Sequence, residues 1–192
     1  MGYAPPEGLA DLIDSMKRAA GAFATVEIPV VLGGGLAAWA RGGPVTDHDV
    51  DFFVREEHVD TALQALSGVG MRTERPSEGW LVKAWDGDVL IDLIHHPAGL
   101  LVDDGMFERA TQMDVMAQPL LVASAGDVLA TKIVALSEQD PNIRPILEIA
   151  RALREQVDWE FLRATVGETP FGAAVLTLVE RLGIAPSEVV QA

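Results

Sequence analysis

The chain has 192 residues, 49% of them hydrophobic, enough for one domain, or one domain with a small appendage, whose core needs no covalent staple. It contains no cysteine, which excludes disulfides and thiolate metal sites and agrees with a reducing compartment. A net charge of −15 excludes general binding of nucleic acid, so a polyanion must dock locally or through a metal.

Met1 to Leu12 lack the basic start and apolar stretch of an export signal, and no run is long enough to span a bilayer. A soluble cytoplasmic protein with no membrane partner is therefore expected. Leu9, Leu12, Ile13, Met16 and Ala20 recur at helical spacing and predict an amphipathic helix over residues 8–22. Pro29 to Leu32 reads as a short buried strand, ended by Gly33-Gly34-Gly35. Leu36 to Arg41 then forms a short helix whose free backbone N–H groups, beside the glycines, suit phosphate.

Gly42-Gly43-Pro44 is a turn, and Asp49 to Val54 is the next strand. Alternation along a strand puts Asp49 and Asp51 on one face, about 7 Å apart along the backbone. Two like charges so placed repel each other. They are either a solvated strand end or a pair of ligands for a hard divalent cation, and the preceding glycines favour the second.

Glu56 to Leu66 predicts a helix, followed by strands over Val69–Thr73, Trp80–Trp85 and Val89–Ile94, the last two joined by an Asp86-Gly87 hairpin. Asp92 interrupts an otherwise wholly apolar strand, where an unpaired carboxylate is costly and needs a partner such as a cation. His95 and His96 follow at the strand end without another His or Cys at zinc-ligand spacing. They read as rim residues, with a minor role in substrate contact for His95. A short helix at Met106–Ala110 and two short strands around Val115 and Leu121 complete this part.

Ser124 caps a helix that runs to about Ser137, with Val128, Leu129, Ile133 and Leu136 on one face and Lys132 in the middle of that stripe. An amine there snorkels, pairs with a carboxylate or meets a phosphate. Next to a metal and phosphate site, the phosphate role is the better reading. Ile143 to Gln156 predicts a further helix with an apolar stripe of Ile143, Ile146, Leu147, Ala150 and Leu153. Its other face carries Arg144, Glu148, Arg151 and Glu155 at ion-pair spacing. Asp158 and Thr169 read as caps for helices over 159–165 and 170–182.

Leu32, Gly34-Gly35, Asp49-Val50-Asp51 and Asp92 together resemble the signature of the nucleotidyltransferase superfamily with the polymerase-beta-like fold. Within it, Gly34-Gly35-Leu36-Ala37, the paired aspartates and Leu129 to Leu136 look most like the AbiEii and MenT-type bacterial toxins, over roughly residues 28–155. Asp47 stands where those toxins carry Ser or Thr, with Thr46 one position further out. Glu148 is the nearest match to their aspartate on the following helix.

The resemblance implies an α+β (mixed α/β) fold, a small mixed sheet flanked by helices. A catalytic core over 1–122 would be followed by a C-terminal helical subdomain over 123–192 that contributes Lys132. It implies an enzyme that transfers NMP from an NTP to an acceptor hydroxyl with release of pyrophosphate. Asp49, Asp51 and Asp92 would hold Mg²⁺ or Mn²⁺, with Asp92 otherwise the proton acceptor. Gly34, Gly35 and Lys132 would bind the triphosphate. A toxin-like enzyme would act on tRNA 3′ ends through a local patch of Arg41, Lys83, Arg144 and Arg151, and would have a cognate antitoxin partner. The alternatives are an aminoglycoside or lincosamide nucleotidyltransferase, whose cationic substrate suits an acidic cleft, and a non-catalytic binding partner.

Overall fold

The computed structural model describes residues 8–46, 48–77, 79–97, 100 and 102–186. Asp47 lies outside them. The architecture is α+β: one seven-stranded mixed sheet carries helices on both faces.

Helix α1 (Leu9–Thr25) buries Leu9, Leu12, Ile13, Met16 and Ala20, the stripe its spacing predicts, and runs on past residue 22 to bury Phe23 as well. Strand β1 (Val30–Leu32) is wholly buried and runs into α2 (Gly34–Ala40). Strand β2 spans Asp49–Val54, and a short 3-10 turn, Glu56–His58, leads into α3 (Val59–Gly68). Strands β3 (Arg72–Glu74), β4 (Leu81–Asp86) and β5 (Val89–Ile94) follow. Then come α4 (Asp104–Arg109), β6 (Thr111–Val115) and β7 (Gln118–Val122). Four helices close the described chain: α5 (Ala125–Val134), α6 (Arg144–Ala152), α7 (Trp159–Val166) and α8 (Pro170–Arg181).

The strand order is β3-β4-β5-β2-β1-β7-β6. β2 runs parallel to β5 and antiparallel to β1, and β1 runs parallel to β7. One face of the central strands is apolar throughout. Val50, Phe52, Val54, Ile91 and Leu93 point into it and are covered by α1 and α3, with Phe23 edge-on to Phe52 at 5.3 Å between ring centroids. The opposite face carries Asp49, Asp51 and Asp92 and is covered less completely, by α2 and α5. A single apolar cluster runs from α1 to the residues after α8, across the junction between β7 and α5.

Several helix ends are set by glycine. Gly70, at φ 86°, lets its own N–H reach the Ser67 carbonyl at 3.0 Å and the Met71 N–H reach Leu66 at 3.1 Å, closing α3 with two orphan carbonyls satisfied. The strand expected over Val69–Thr73 is therefore displaced to Arg72–Glu74, because Val69 and Gly70 belong to the helix terminus. Helix α5 stops at Val134 rather than near Ser137, as the Leu136 N–H turns back to Ile133. Helix α6 ends at Ala152, and its buried stripe includes Ile149 beside Ile146 and Ala150.

Candidate active site

The register of the sheet builds the site. Asp51 on β2 lies directly opposite Asp92 on β5, and Asp92 in turn lies opposite Lys83 on β4. Asp49 shares the face of Asp51, two residues earlier. One carboxylate oxygen from each of Asp49, Asp51 and Asp92 falls within 4.8 Å of the others.

The glycine turn presses against these aspartates. The Gly33 N–H donates to the Asp51 carbonyl at 2.8 Å, which docks the end of β1 on β2. Gly34 has φ 55°, and a methyl group built there would fall on Asp51 Oδ2. Only a residue without Cβ leaves that carboxylate its place. At Gly35 a methyl group would fall on Thr46 Oγ1, so the loop before β2 closes over the start of α2.

Lys132 on α5 faces this centre, half-buried, and its charge acts on Asp51. It lines a cleft of about 440 Å³ together with Gly34, the three aspartates and Thr131. Apart from Ser137, the remaining walls are apolar: Phe53, Trp80, Ile94, Pro97, Val134, Ala135 and Leu136. Phe53 and Ile94 sit opposite each other one step beyond the Asp51–Asp92 pair, on the same face. Trp80 is held at the rim because its carbonyl accepts from the His95 and His96 N–H groups, both at 3.1 Å.

Burial, then the Asp49 charge, pushes the Asp51 carboxyl up to about 8, against the opposing pull of Lys132. Burial likewise raises Asp92 to about 6, offset by Lys83 and reinforced by Asp49. Asp92 Oδ1 is buried with no hydrogen-bond partner among the described residues. Three converging carboxylates, one with an orphaned oxygen, form a hard, oxygen-only donor set of the kind that fits a divalent cation.

Comparison with known proteins assigns the chain to a family. The family described as "Nucleotidyl transferase of unknown function (DUF2204)" matches residues 13–182. The chain belongs to that nucleotidyl transferase family. No curated protein matches it by sequence. Among solved structures, the antibiotic-resistance factor ANT(2″)-Ia in solution aligns with a TM-score of 0.64 at 16% identity, covering 91% of this chain and 96% of that one. Crystalline ANT(2″)-Ia aligns with a TM-score of 0.55 at 16% identity, covering 90% and 98%. At this identity the likeness is one of fold.

The nucleotidyltransferase keeps the other expected contact residues apart from the aspartates to different degrees. Lys83 is half-buried on β4, next to Asp92. Arg41 donates to the Ala123 carbonyl at 2.6 Å and to the Val122 carbonyl at 2.9 Å, tying α2 to the start of α5; it does not line the cleft. His95 lies near Glu56, His96 and Arg75 and is also absent from the cleft walls, and burial lowers its pKa. Arg144 and Glu148 form an exposed pair at 2.8 Å on α6, and Arg151 is exposed on the same helix.

Sequence reading overlooks the apolar walls. Two of them had a signal, since Phe53 and Ile94 each lie two residues after an aspartate and so share its face. Trp80 and Pro97 had none, because only the folded sheet brings their loops to the rim. A second feature also emerges from the fold. Asp127, 2% exposed, accepts from Ser124 Oγ at 2.6 Å and from Arg109 Nε and Nη2 at 3.1 and 2.7 Å. Arg109 stacks on Phe161 at 4.2 Å, so one ion pair joins α4, α5 and α7 behind the cleft.

Proposed function

We propose that this nucleotidyltransferase transfers NMP from an NTP to a hydroxyl of a small neutral or cationic acceptor. The observation that carries the reading is the composition of the cleft. Three carboxylates and an apolar wall meet there, and Lys132 is the one cationic residue among its described lining residues. A polyanionic acceptor finds little to neutralise it in such a cleft, and the net charge of −15 opposes its approach. The fold shared with ANT(2″)-Ia, which has been crystallised with adenylyl-2″-tobramycin, supports a small acceptor of that kind.

In this reading Asp49 and Asp51 hold Mg²⁺ or Mn²⁺, with Asp92 beside them. When bound, the cation polarises the phosphoryl oxygens and offsets the charge of the triphosphate. Gly34 and Gly35 bring backbone N–H groups to the phosphate oxygens with no side chain in the way, and Lys132 neutralises charge that grows on the leaving group. The acceptor oxygen attacks the α-phosphorus, the bond to the bridging oxygen breaks, and pyrophosphate departs. The hydroxyl proton passes to the Asp92 carboxylate, which lines the cleft that the acceptor enters.

A second reading, a toxin-like enzyme acting on tRNA 3′ ends and held by a cognate antitoxin, has one observation in its favour. The Leu129–Leu136 segment that resembles the AbiEii and MenT-type toxins contributes Lys132 and Leu136 to the cleft. Docking would then fall to the exposed Arg144 and Arg151 of α6. Incubation with Mg²⁺, each labelled NTP, and either a panel of aminoglycosides and lincosamides or total tRNA separates the two. Label on a small molecule supports the first reading, and label on tRNA alone supports the second. Neither label nor NTP binding under any condition would overturn both.

A further inference from the structure

A second, smaller chamber opens on the other side of Lys132. Its volume is about 180 Å³, and its lining includes Gly35, Thr46, His48, Glu148 and Ile149. None of the three aspartates lines it, and Lys132 alone is shared with the larger cleft. The space amounts to about six waters at ~30 Å³ each, comparable to a hydroxylated five-membered ring and too small for a whole nucleoside.

A nucleoside triphosphate held by Gly34, Gly35 and Lys132 must send its remaining parts in different directions. The acceptor has to face Asp92, which assigns it to the larger cleft. The pentose is joined to the α-phosphate through a single ester oxygen, so it must occupy space adjoining the glycines. The smaller chamber adjoins Gly35 and carries a carboxylate. Glu148 repels phosphate but accepts hydrogen bonds from hydroxyl groups, and a carboxylate can accept from both hydroxyls of a vicinal diol. Arg144 Nε holds Glu148 Oε1 at 2.8 Å from one turn earlier, which orients the carboxylate.

We infer that this chamber binds the ribose of the NTP and that Glu148 reads its hydroxyls. The assignment rests on the nucleotidyl-transfer reading above. It separates two roles along the length of the site, with sugar recognition on α6 and acceptor recognition at the apolar wall.

The test is equilibrium binding to the full chain, with Mg²⁺, of a ribonucleoside triphosphate, its 2′-deoxy counterpart and inorganic tripolyphosphate. The wild type should favour the ribonucleotide by about tenfold, the worth of one hydrogen bond to a charged group. Glu148→Gln should erase that preference and Glu148→Asp should keep part of it, while tripolyphosphate, which has no sugar, should bind neither variant more weakly than the wild type. A ribose preference unchanged in Glu148→Gln, or absent from the wild type, would overturn the assignment. So would tripolyphosphate binding that weakens in Glu148→Gln as much as ribonucleotide binding does, which would mean that Glu148 supports the phosphate site and not the sugar. Wild-type protein that binds neither nucleotide nor tripolyphosphate would instead overturn the nucleotidyl-transfer reading on which it rests.

Discussion

Crowded by burial, by Asp49 and by Asp92, the Asp51 carboxyl takes up protons far more readily than an exposed aspartate, with a pKa of about 8 against 3.8. The folded protein without metal thus binds more protons than the unfolded chain between those two values, and its stability falls as pH rises through that window. Asp92 adds to the loss in the same sense, from 3.8 up to about 6. In chelator the melting temperature should therefore fall between about pH 5 and pH 8, and Asp51→Asn should flatten the slope. Mg²⁺ should raise the melting temperature at the upper end of this range and barely at the lower, because protonated carboxyls do not ligate. Equal slopes in wild type and Asp51→Asn would count against the crowding. Gly34→Ala presents the same geometry from the other side. Its methyl group displaces Asp51 Oδ2, and its left-handed backbone costs about 1–2 kcal/mol. Transfer should drop by at least about a hundredfold, because losing even a group that only hydrogen-bonds to a metal ligand typically costs about 10–100-fold. Full activity in a folded Gly34→Ala protein would show that Asp51 does not need its place.

At the scale of elements, the site depends on α5, which presents Lys132 from its last turn while its first turn is anchored by Asp127. Arg109→Ala leaves that buried carboxylate with Ser124 and only the charge of Arg41 nearby, and because Arg109 is itself partly exposed the loss should be about 2–3 kcal/mol, below the ~3–5 kcal/mol of a pair buried on both sides. Urea unfolding should show the loss, with the nucleotide affinity of the remaining folded protein little changed. A loss below about 1 kcal/mol, the scale of an exposed pair, would mean that the pair is solvent-screened. Much at this scale is legible in the amino-acid pattern. The bounds of β2 and β5 follow from hydrophobicity and turn residues alone, and Ser124, Asp158 and Thr169 each cap a helix by accepting from a backbone N–H three residues on. The Arg109–Asp127 pair is not legible. Its partners lie on separate helices with a β-hairpin between them, and periodicity carries no information about which helices meet.

Across the whole molecule, the sheet order decides what the local patterns mean. Asp92 stands out in its strand because a carboxylate there is costly, but only the parallel pairing of β2 with β5 sets it opposite Asp51. The cleft walls are drawn from β2, the loop before β4, the end of β5 and α5, and the smaller chamber from α2, the loop before β2 and α6. Such surfaces are products of topology, so the cleft and the chamber proposed for acceptor and sugar stay hidden in a pattern that displays the charged residues plainly. The excess of acidic residues acts at this scale too, since it sets the field through which any acceptor must approach. Lys132→Ala removes the one cation among the described residues of the cleft lining, and kcat should fall on the order of 10²–10³-fold with the fold retained. The most direct measurement is the transfer of radiolabel from the α-phosphate of an NTP to an acceptor, with pyrophosphate release followed in parallel, for wild type and Asp51→Asn at matched melting temperature. The expected result is transfer with stoichiometric pyrophosphate by the wild type and none by Asp51→Asn. Undiminished transfer by Asp51→Asn would contradict the assignment of the Asp49, Asp51 and Asp92 centre as the place where the phosphoryl bond is exchanged.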